Sequence, residues 1–143
     1  MLAIIYAIIS GISMTFQGVF NTRLEEKVGT WETNVIVQGT ALVITLIIVI
    51  FFGKGSFKAI KEVNKLYLLG GVLGVVITFT VIRSISSMGA TIGIGTILVA
   101  QLASAGIVDA FGLFGTERVT FGFREFLGIG IMILGIIIFK WRG

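Results

Sequence analysis

The chain has 143 residues, 56% of them hydrophobic and only 13% charged, with a formal net charge of +4 and a mean hydropathy of +1.09. It contains no histidine, cysteine or proline, which removes zinc sites, disulfide frameworks and the commonest general base together. A helix crossing a hydrocarbon layer consumes roughly 20 apolar residues, so membrane spans use up this length and leave nothing for a water-soluble domain.

Charge and turn clusters divide the chain into five apolar segments. The first, from about residue 2 to 21, starts apolar without a cationic leader or a small-residue cleavage site, so it reads as a retained span and not a signal peptide. Within it Ser10, Ser13, Gln17 and Asn21 fall within roughly 80 degrees of one helical face. After RLEEKVGTWE comes a second span, about residues 34 to 52, in which Asn34, Gln38 and Thr45 share a face with Ala41.

The connection GKGSFKAIKEVNK follows. Its Lys54, Lys58, Lys61 and Lys65 recur at helical spacing, with Phe57, Ile60 and Val63 elsewhere around the axis. Gly53 and Gly55 weaken a helix start, so a solvated basic loop is the preferred reading and a small surface helix the alternative. The third span, about residues 66 to 83, ends at Arg83, whose long side chain is expected to snorkel. Gly70, Gly74 and Thr78 form a small-residue ridge, and Gly89 with Gly93 repeats the spacing; packing inside one subunit is preferred here over a dimer contact.

Beyond SISSMG, the fourth span covers about residues 90 to 111. Gln101 and Ser104 share a face there, with Asp109 at its shoulder near the end. The last span, about residues 123 to 139, follows GTERVT and has no polar residue between Leu127 and Phe139, so it reads as scaffold or contact surface. Lys140, Trp141 and Arg142 then form an interfacial anchor of cations and an aromatic ring.

Unpartnered amides cost several kcal/mol in hydrocarbon, while hydrogen bonds between membrane helices return on average only about 0.6 kcal/mol. Stability alone does not justify the polar stripes. A wet cavity between helices does, so Ser10, Ser13, Gln17, Asn21, Asn34, Gln38, Gln101 and Ser104 are candidate cavity-lining or substrate-binding residues. Glue between helices is the alternative, and for Gln38 the two readings are balanced. Asp109 is expected to reach interfacial water or cap a neighbouring element; the functional alternative is proton or ion coupling in a transport path. The sequence offers no catalytic constellation, metal site or cofactor motif.

An odd number of spans places the two chain ends on opposite sides of the membrane. Connections on the N-terminal side then hold Lys54, Lys58, Lys61, Lys65, Arg118 and Arg124, against Arg23, Lys27, Arg83, Lys140 and Arg142 on the other. Six against five is a weak bias under the positive-inside rule, so dual insertion is a live expectation. If the lysine-rich connection dominates, the N-terminus is cytoplasmic in the majority form. Two oppositely oriented copies would build an inverted-repeat machine with substrate near the midplane.

The runs LGGVLGVV (69 to 76), SSMGATIGIGTILVAQLASAGIVDAFGLFG (86 to 115) and FREFLGIGIMILGIII (123 to 138), with Gln17, Asn21 and Leu24, resemble the YdcZ-like branch of the drug/metabolite transporter superfamily. Ala100 stands where a glycine is expected before the glutamine, and Tyr67 stands near the place of a usual tryptophan. The resemblance implies an all-α membrane protein of the bacterial cytoplasmic membrane, a single domain of five transmembrane helices forming half of a ten-helix inverted-repeat transporter. It implies an antiparallel pairing with an identical chain or a sister protein, and alternating-access transport of a small metabolite or drug-like solute. Related small multidrug-resistance proteins carry an acidic residue deep in the first helix, where this chain offers Gln17. A polar, neutral substrate or a coupling site such as Asp109 is therefore favoured over proton/cation exchange through the first helix. The rival reading is a non-transporting accessory or assembly subunit that binds partner helices.

Overall fold

A computed structural model describes residues 1–120 and 122–141. Five α-helices follow in order: α1 (Leu2–Val28), α2 (Thr30–Phe52), α3 (Gly70–Met88), α4 (Ala90–Phe111) and α5 (Phe123–Lys140). Short 3-10 turns occupy Phe57–Lys61, Lys65–Leu69 and Leu113–Gly115. Among the described residues, four segments are long and apolar enough to cross a membrane, namely Leu2–Val28, Thr30–Phe52, Lys65–Met88 and Ala90–Phe111. The fifth helix is 18 residues long, with Glu125 in its first turn and Lys140 in its last. Arg142 of the expected C-terminal anchor lies outside the described residues.

Two of the expected connections are not loops. RLEEKV continues α1 as helix, and α3 runs on through Ser84 to Met88, so only Gly29 separates α1 from α2 and only Gly89 separates α3 from α4. Arg83 consequently lies inside α3 and does not close it. Helices need not stop where hydrocarbon stops, because charged residues in their last turns simply enter the headgroup layer.

The two corners are built alike. Gly29 has φ 98 and ψ 159, and Gly89 has φ 79 and ψ 163, a region essentially confined to glycine. Each glycine N–H donates four residues back, to Glu25 O at 2.9 Å or Ile85 O at 2.8 Å. Each glycine carbonyl in turn accepts from four residues ahead, Thr33 N or Gly93 N, at 3.0 Å. At Gly29 the chain turns so that α1 packs on α2, and at each corner the glycine closes one bond to the helix before it and one to the helix after it.

The chain divides into two compact units, residues 1–83 and 84–143. In the first, α1 packs on α2; in the second, α4 packs on α5. Ile82 and Ile85 are the buried large apolar side chains among the described residues, whereas Leu, Ile, Val and Phe on every α-helix are exposed. A soluble protein would bury such side chains; here the surrounding medium that accepts them is lipid.

Candidate functional site

In the first unit, the stripe on α1 changes character along its length. Ser10, Ser13 and Gln17 are exposed, and their side chains have no hydrogen-bond partner among the described residues. Asn21 is buried beside the Gly29 end, together with Thr22, Thr33 and Asn34. Thr22 Oγ1 donates back to Gly18 O at 2.8 Å, while the fully buried Thr33 Oγ1 has no partner.

On α2, Asn34 Nδ2 donates to Val75 O of α3 at 3.0 Å. One turn further along, Gln38 Nε2 donates to Thr78 Oγ1 at 3.2 Å. Gly74 lies against this amide, where a Cβ would stand in ordinary contact, 3.5 Å from Gln38 Nε2. The ridge of small residues on α3 thus meets an amide of α2 within the same subunit, and Trp31 stacks on Phe79 beside it with ring centroids 5.0 Å apart. Gly70, at the other end of the ridge, has open space around it.

Glu25, which lies one turn beyond Asn21 on the same stripe, ties the corner together. Its Oε1 accepts from Thr30 Oγ1 at 2.7 Å and stands 3.5 Å from Arg83 Nη1. Arg83, expected to snorkel, also faces a carboxylate of α1. Because the Arg83 side chain is 60% exposed, the pair is screened by salt and worth at most about 1 kcal/mol. Glu25→Gln should keep the Thr30 bond and lower thermal stability in detergent slightly at low salt. The difference from the parent protein should vanish in high salt; one that persists would assign Glu25 a role beyond this pair.

In the second unit, Gln101 and Ser104 are exposed on α4, again without a side-chain hydrogen bond among the described residues. Asp109 is half-buried in the last turn of that helix. Residues 112–119 fold back over this end: Val119 N donates to Asp109 O at 2.9 Å, and Arg118 Nε donates to Ala110 O at 3.0 Å. A cation on the last carbonyls complements the helix dipole, so Arg118 offsets the unfavourable position of a carboxylate at a C-terminal turn.

Gly93 is buried under the preceding corner, where a Cβ would lie 3.1 Å from Ser84 Oγ and 3.4 Å from the Ser84 carbonyl carbon. Gly89, grouped with it by sequence spacing, supplies the turn conformation and has nothing near its Cβ position. Between α4 and α5 lies an apolar hollow of about 200 Å³, lined by residues including Gly95, Leu98, Met132 and Ile136.

Sequence reasoning missed Glu25 and Thr33. Gln17, Asn21 and Glu25 recur every four residues, so a first helix read past Asn21 would have shown Glu25 on the stripe. Thr33 carries no such signal.

Among the described residues no group of three or more histidine, cysteine or carboxylate residues could hold a metal. Apart from Glu25, Arg83 and Asp109 near helix ends, the polar elements described are uncharged amides and hydroxyls on membrane-spanning helices, suited to binding a polar solute or holding helices together. Residues 2–138 match the family model described as "Putative inner membrane exporter, YdcZ". Neither a curated protein nor a solved structure matches the chain. With helices apolar enough for several passes and a match over nearly its full length, the chain belongs to the YdcZ-like family of the drug/metabolite transporter superfamily, as a multi-pass protein of the cytoplasmic membrane.

Proposed function

We infer that the protein is a secondary transporter of a small metabolite or drug-like solute, working by alternating access as an antiparallel pair with a second copy or a sister chain. The observation that carries this reading is the exposed, unpartnered row Ser10, Ser13 and Gln17 on a membrane-spanning helix. Acyl chains cannot accept those groups without a penalty of several kcal/mol. Water or a solute can, and family membership makes a transported solute the natural occupant. Gln101 and Ser104 form a second such pair on α4. Asn21 adds polar capacity at the buried end of the α1 row, while Asn34 and Gln38 hold α2 to α3. Asp109 is the carboxylate proposed for ion or proton coupling.

The chain has no native cysteine, so single cysteines at Ser13, Gln17 and Ser104 can be tested with a membrane-impermeant thiol reagent. Each should react in intact vesicles, and added substrate should protect it. A cysteine at Ile8, about 180 degrees around α1 from Gln17, should stay unreactive. Protection of all three polar positions in the absence of substrate would overturn the cavity.

A further inference from the structure

The connection between α2 and α3 carries a pattern that a helical reading obscures. Phe57, Ile60, Val63, Leu66 and Leu69 recur with a period of three, and Lys58 and Lys61 keep the same period one residue later. Three is the repeat of a 3-10 helix, in which side chains at i and i+3 eclipse one another. The backbone adopts that geometry over Phe57–Lys61 and Lys65–Leu69. Phe57 and Ile60 are thereby aligned along the first turn, and Leu66 and Leu69 along the second.

The turns are built to persist as structure. Ser56 Oγ accepts from Lys58 N at 3.3 Å, and Asn64 Oδ1 accepts from Leu66 N at 3.0 Å. Ala59 N and Tyr67 N close the turns on Ser56 O and Asn64 O. All five apolar side chains are nevertheless exposed, Phe57 to 75%. The same segment holds Lys54, Lys58, Lys61 and Lys65 against one carboxylate, Glu62.

Both ends of this segment are tethered to apolar helices, α2 ending at Phe52 and α3 beginning at Gly70, with the second turn at the entrance of the apolar segment Lys65–Met88. Its place is therefore the headgroup layer, where an apolar row can enter the acyl boundary while ammonium groups meet phosphates. We propose that the two 3-10 turns, Phe57–Lys61 and Lys65–Leu69, together form an amphipathic anchor lying in the membrane interface and binding anionic phospholipid headgroups through Lys58 and Lys61. The occupant is lipid and not protein: the row is narrow, flanked by lysines, and held at the depth where anionic headgroups lie. The anchor requires a membrane protein and is independent of what is transported.

Site-directed spin labelling of the full chain, one cysteine at a time from 57 to 69, tests this in vesicles of phosphatidylglycerol and phosphatidylethanolamine. The ratio of oxygen to nickel-chelate collisions should peak at 57, 60, 66 and 69, several-fold above 58 and 61. Lys58→Glu with Lys61→Glu should flatten the oscillation, as should vesicles of phosphatidylcholine alone. Uniformly high nickel access would identify a solvated loop and overturn the proposal. Exclusion of both reagents at 57 and 60 would indicate a protein contact, with the same consequence, and an oscillation indifferent to lipid charge would refute the headgroup assignment.

Discussion

Replacing Gly29 or Gly89 by alanine is expected to destabilise the folded protein by about 1–3 kcal/mol at either site. Both residues hold φ near +80 to +100 with ψ near 160, where a Cβ collides with its own backbone whatever space surrounds it. At Gly29 the Cβ would also lie 2.5 Å from Glu32 Oε2, but that carboxylate is the free end of a flexible side chain and can move aside. The two variants should therefore lose similar stability, read as folded yield and thermal unfolding in detergent. Gly11→Ala is the control: it lies inside α1 with nothing within 4 Å of the added methyl and should be neutral or mildly stabilising. Equal behaviour of all three variants would show that the corners tolerate other conformations.

Substituting Gln17 or Gln101 by leucine is expected to cut transport by about tenfold to hundredfold, the effect of removing a hydrogen-bonding group from a site that binds a polar solute. Folding and assembly should survive, because neither side chain makes a hydrogen bond that the fold would miss among the described residues. Gln38→Leu separates the two roles of an intramembrane amide. It breaks the bond to Thr78 and should lower stability before it touches binding. Transport assays in proteoliposomes, paired with size-exclusion profiles, distinguish the cases. Unchanged transport would remove Gln17 or Gln101 from the site, and joint loss of transport and assembly would assign it to packing.

How far the sequence reached depended on what hydropathy can mark. Alternation of apolar runs and charge located all five helices, and α4 fell where it was expected, residues 90 to 111. Hydropathy reports where hydrocarbon ends, so it marks RLEEKV and SISSM as connections although both are helical. Nothing in composition announces that a single glycine can reverse the chain. The lysines of the connecting segment follow a period near 3.6, whereas its two short turns repeat every three residues. Of the candidate site, the row on α1 was visible because a stripe is local. The bonds of Asn34 to Val75 and Gln38 to Thr78 join residues 41 and 40 positions apart, and no periodicity within one segment encodes such a partner.

A corner of one residue is a joint without play. For α1 to slide along α2, or for α1 to unwind at its last turn or α2 at its first, the bonds that run through Gly29 would have to break. The axial stagger of that hairpin is consequently held at the corner, and any movement that keeps those bonds carries the adjoining turns of α1 and α2 together.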